Sequence, residues 1–90
     1  VDIAFEPQLS RWPQIGHAAL VELKYLKASD DASPAALAKI RDAAAAQLTR
    51  YAADHDLARA WDLKENGGTV ALHRIVLVFH GGDVALCEEI

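Results

Sequence analysis

Apolar positions along this chain recur with two periods, one of strands and one of helices. In Val1 to Phe5 (VDIAF), apolar residues flank Asp2 and predict a short strand. Residues 6–16, EPQLSRWPQIG, hold Pro7, Pro13 and Gly16 and predict a long loop. His17 to Lys27 (HAALVELKYLK) predicts a second strand, with Val21, Leu23 and Tyr25 on one face and Leu20, Glu22, Lys24 and Leu26 on the other. Strands so close in sequence are expected to pair antiparallel.

The period then lengthens. Residues 28–33 (ASDDAS) form a polar turn, after which Ser33 is placed as an N-cap and Pro34 as the first helical residue. The helix is expected from Pro34 to about Asp54, with a buried stripe of Leu37, Ile40, Ala44, Leu48 and Tyr51. Asp56 to Glu65 (DLARAWDLKE) predicts a short second helix, and Asn66-Gly67-Gly68 a turn. Thr69 to His80 contains IVLVF, apolar at both parities, which predicts a central strand covered on both faces. Gly81-Gly82 reads as a two-residue hairpin turn and Asp83 to Glu89 as the last strand. The expected class is α/β: one domain over residues 1–90, a mixed β-sheet carrying one main helix.

Composition narrows the setting. At 90 residues the chain is one small domain, and 52% hydrophobic against 24% charged residues excludes disorder. No apolar stretch approaches the roughly 20 residues of a membrane span. The single cysteine, Cys87, cannot form an internal disulfide, which makes a reducing, cytoplasmic setting the expectation. A net charge of −4 gives no general attraction to nucleic acid or anionic lipid. The chain opens Val1-Asp2 without a methionine, and is expected to be a piece of a longer protein.

The candidate chemistry lies in polar residues where a sheet should be apolar. Glu22 and Lys24, two apart, leave the same face of a strand otherwise built from Ala, Leu and Val. A carboxylate and an ammonium on a half-buried face are costly unless paired or used, and a solvated cross-strand ion pair is the plain reading. Asp2, on the neighbouring strand, can add a second carboxylate. Two carboxylates on rigid strands suit Mg²⁺ or Mn²⁺, and a lysine beside the ion can hold a water or offset developing charge.

Asp2 followed by Glu22-Leu23-Lys24 resembles the D…(D/E)xK core of the PD-(D/E)xK nuclease superfamily. Gln47-Leu48-Thr49-Arg50-Tyr51 resembles the QxxxY helix motif of its RecB-like branch, with Gln47 and Tyr51 on one helix face and Gln47 on the buried stripe. The chain as a whole, including HRIVLVFHGG, is similar to the nuclease-like domain at the C-terminus of certain bacterial AAA-ATPase-like proteins. The resemblance implies a restriction-endonuclease-like core lacking its N-terminal helix and strand. It implies that Asp2, Glu22 and the Leu23 carbonyl ligate Mg²⁺ or Mn²⁺. Lys24 would activate water for attack on a DNA phosphodiester, and Gln47 and Tyr51 would steady the lysine or a phosphate.

The other chemistry-bearing residues have plainer readings. His17, His55, His73 and His80 share no metal-ligand spacing and read as strand-end or surface residues. Cys87 reads as a small buried hydrophobe. Arg11 and Trp12 can stack on nucleic acid or cap the core. Lys27, Lys39, Arg41 and Arg50 are expected on the side of the proposed site. The leading expectation is a metal-dependent nuclease acting on DNA, with no membrane partner. The alternative is a non-catalytic accessory module that keeps the nuclease fold, its open sheet edge pairing with a second copy or with the missing N-terminal portion.

Overall fold

The computed structural model describes residues 3–5, 16–64 and 67–90. Six elements follow one another: β1 (Ile3–Phe5), β2 (His17–Leu26), α1 (Pro34–Ala52), α2 (His55–Ala60), β3 (Ala71–His80) and β4 (Asp83–Glu89). The four strands form one sheet in the order β1-β2-β3-β4. β1 and β2 are antiparallel, with Ile3 opposite Val21 and Phe5 opposite Ala19. β2 and β3 are parallel over their full length, His17 opposite Ala71 through Leu26 opposite His80, as a strand–helix–strand crossover requires. β3 and β4 are antiparallel, with a register shift between Val78 and Phe79. The α/β class and the mixed sheet with one main helix are those the hydrophobic pattern predicts.

Local chemistry explains the boundaries. Ser33 caps α1, its hydroxyl accepting from the Ala36 amide, and Pro34 supplies a preset φ in the first turn. Asp54 caps α2 by accepting from the Asp56 and Leu57 amides. The same cap explains why α1 stops at Ala52, short of the expected Asp54. In the β3–β4 turn Gly81 takes φ +62°, a region that disfavours a Cβ, while Gly82 stays at negative φ.

Register settles which face is covered. Ala18, Leu20, Val76 and Val78 are buried in one core cluster with Ala44, Leu48 and Ala52 of α1. Even-numbered residues of β2 and β3 therefore face the helix. Trp61, Leu63 and Val70 complete that cluster, and the bridge between Leu63 and Val70 holds them at the sheet's end. The core is thus larger at this end than the predicted short helix implied.

The opposite sheet face carries no element among the described residues, and two expectations change with it, while a third changes on α1. β3 is covered on one face only: Ile75, Leu77 and Phe79 stay half-buried while Val76 and Val78 are fully enclosed. Cys87, opposite Leu77, is exposed rather than buried. Tyr51 is 43% exposed, and the buried stripe of α1 passes through Ala52 instead.

Candidate active site

The ten-residue strand β2 positions the expected pair. Glu22 lies opposite Val76 and Lys24 opposite Val78, two fully buried residues of the helix-facing core, so both side chains leave the covered face. Glu22 is 5% exposed, the one buried charged or polar residue among those described. Lys24, nearer the strand end, is half-buried and makes no hydrogen bond or ion pair with a described residue. An ammonium that is partly withdrawn from water and engages no carboxylate retains its donors for a ligand. Leu23, between them, turns its side chain to the open face.

A further cation belongs to this face. Arg74 of β3 lies opposite Leu20, one rung diagonal from Glu22. Its Nε is buried without a hydrogen-bond partner. The sequence pattern hides this residue inside HRIVLVF; only the parallel register brings it beside Glu22. Its signal is the single arginine of β3, directly before the apolar run IVLVF.

The helix contributes less than the QxxxY resemblance implies. Gln47 is exposed rather than on the buried stripe, and its Oε1 accepts from Arg50 Nη2 at 2.5 Å. Arg41 marks the flank of α1 over β4, since its Nη2 donates to Glu88 at 2.9 Å. At 100° per residue Gln47 falls on the other flank, the side of β2. Gln47 and Tyr51 therefore sit on the Glu22 side of the helix, exposed, and neither is hydrogen-bonded to Glu22 or Lys24. Asp2 lies outside the described residues, as do Arg11 and Trp12.

Arg41 departs from the expected basic rim. Glu88 first, and then Asp42, hold its guanidinium above its ordinary value, and it walls a groove of about 350 Å³ with Pro34, Leu37, Ala38, Leu86 and Glu88. That groove lies on the β4 side and includes no expected site residue.

Two histidines that share no sequence motif meet on the open face. His17 Nδ1 and His73 Nε2 are 2.9 Å apart, and His73 Nδ1 bonds Glu89. With the carboxylate accepting from Nδ1–H of His73, Nε2 becomes the acceptor for His17, which chains β2, β3 and β4 together. His80, at the end of β3, bonds the Ala28 carbonyl. Among the described residues no group of three or more His, Cys, Asp or Glu side chains is placed to hold a metal ion. No described helix is long and apolar enough to cross a membrane.

No family model matches this chain, and neither a curated protein nor a solved structure matches it.

Proposed function

We propose that this chain is a nuclease-like domain of the PD-(D/E)xK kind that hydrolyses phosphodiester bonds of DNA with Mg²⁺ or Mn²⁺. The observation that carries the reading is Glu22: a carboxylate 5% exposed, in mid-strand on the covered face, flanked by Lys24 and by Arg74. A carboxylate fixed in mid-strand beside a lysine is a hard oxygen donor on a rigid element, which suits a role toward a divalent cation.

The ion calls for few protein donors. Mg²⁺ is commonly held by one or two carboxylates with waters and substrate phosphate rather than by an all-protein cage. Glu22 and the Leu23 carbonyl would hold it here, and the reading requires Asp2 as the second carboxylate. When bound, the ion polarises the phosphoryl oxygen and makes a water more acidic. The chain's own residues do the rest. Lys24 donates to the attacking water or to a non-bridging oxygen, and Arg74 offsets charge that develops on the phosphorus centre. Gln47 and Tyr51, exposed on the same flank, are suited to hold the phosphate backbone on either side.

The test is a Mn²⁺ titration by calorimetry together with cleavage of linear and circular DNA, on wild type, Glu22→Gln and Lys24→Met. The expected result is saturable binding lost in Glu22→Gln, with cleavage lost in both variants and the circular dichroism spectrum retained. Cleavage by Glu22→Gln at the wild-type rate would refute the assignment. The accessory-module reading is favoured by one observation, a net charge of −4 that opposes a polyanion, and it predicts no Mn²⁺ binding by wild type.

A further inference from the structure

Five large hydrophobic side chains are exposed among the described residues, and four of them share one sheet face. Ile3 (38% exposed), Phe5 (59%), Tyr25 (72%) and Val84 (57%) all leave the sheet face opposite α1. Ile3 and Phe5 lie opposite Val21 and Ala19, and Val84 lies opposite Phe79. Tyr25 stacks on Phe79 with ring centroids 5.3 Å apart. Between these flanks, half-buried Leu23, Ile75 and Leu77 and exposed Cys87 make the face continuous.

We propose that this face is the interface of a closed two-fold dimer of the chain, two sheets stacked with their helices outward. Its charge pattern selects against a polyanion: among the described strand residues it bears no Lys or Arg, and its one carboxylate, Glu89, is bonded to His73. A face whose single carboxylate is already bonded to a neighbouring histidine can meet its own copy with little like-charge repulsion, which suits an isologous contact. Its size agrees. The thirty residues of the four strands, at about 3.3 Å rise and about 4.8 Å spacing, cover roughly 475 Å² before side-chain relief is added. Two such faces packed about 10 Å apart would bury on the order of 1,000–1,200 Å², the lower bound for a specific protein–protein interface. That bound fits a reversible dimer rather than an obligate one. As a patch on a monomer, the same face would be at the upper end of what soluble chains leave open.

Sedimentation of the full chain from about 1 µM to about 500 µM tests this, spanning the affinities expected of so small an interface. The expected result is a mass rising from 9.7 kDa toward twice that value and no further. Tyr25→Glu and, separately, Val84→Glu should each weaken association at least tenfold. Ala46→Glu, which adds the same charge on the exposed side of α1, should leave it unchanged. Cys87, exposed in the single chain, should also react more slowly with a thiol reagent as wild-type concentration rises. A constant 9.7 kDa over the whole range would overturn the proposal, leaving the face to some other partner. Growth beyond two copies, or a dimer unaffected by both face variants, would overturn it equally.

Discussion

Arg74→Met separates a residue kept for a ligand from one kept for the fold. The Arg74 Nε is stripped of water and engages no acceptor, and such an orphaned donor costs about 1–3 kcal/mol, more when charged. Methionine preserves the apolar stem that packs on the sheet and removes the donor and the charge. The expected change is a stabilisation of about 1–2 kcal/mol after some stem contact is lost, which for a domain this size raises the melting temperature by about 4–8 °C per kcal/mol. Urea unfolding followed through Trp61, 6% exposed and therefore a good reporter of the core, gives the free energy directly. If Arg74 serves a phosphate, DNA cleavage falls while stability rises. A loss of more than about 1 kcal/mol on Arg74→Met would show that the guanidinium is satisfied, and would refute the reasoning.

Three further perturbations follow from single contacts. Leu48, 0% exposed in the helix–sheet core, should lose about 2–5 kcal/mol on Leu48→Ala by denaturant melts, and a loss under 1 would mean that the core is loosely packed. Gly68→Ala should destabilise strongly, because the added Cβ would run into the Asp62 carbonyl; an unchanged melting temperature would contradict that crowding. Asp31 is held below its ordinary value of 3.8, first by the Ser33 amide and then by the Ser33 side chain. Its contribution to stability is present above that value and lost as pH falls through the lowered one. Wild type and Asp31→Ala should therefore differ near neutrality and converge in strong acid, as followed by thermal melts.

What was legible in the sequence is what local rules control. Ser33-Pro34 and the three-and-four spacing of Leu37, Ile40, Ala44 and Leu48 name α1, and the alternation in HAALVELKYL names β2 and puts Glu22 with Lys24. What was hidden depends on partners distant along the chain. IVLVF reads as covered on both faces, because apolar residues at both parities suit burial, yet the described residues place one layer of helix over the sheet. Cys87 is exposed on the face opposite that layer. Gln47 looked like a stripe position by its spacing to Tyr51, but α1 is rolled so that Ala44, Leu48 and Ala52 take the centre. Arg74, and the meeting of His17 with His73, follow from the parallel register of β2 and β3, a pairing across 56 residues that no periodicity records.

The two sheet faces invert the ordinary order of a two-layer domain. The covered face holds a buried carboxylate and a guanidinium nitrogen that is buried without a hydrogen-bond partner, while the uncovered face presents aromatic and aliphatic side chains to water. The proposed function and the proposed dimer assign a different ligand to each face: a cation with a phosphate to the first, a second sheet to the second. Because α1 lies on the outer side of the stacked pair, pairing leaves Glu22, Lys24 and Arg74 no more enclosed than they are in one copy. The two ligands are therefore separable by substitution. Glu22→Gln should abolish Mn²⁺ binding without changing the sedimenting mass, and Tyr25→Glu should change the mass without changing Mn²⁺ binding. Loss of both properties in either variant would mean that the faces are coupled through the strand they share, β2, rather than independent.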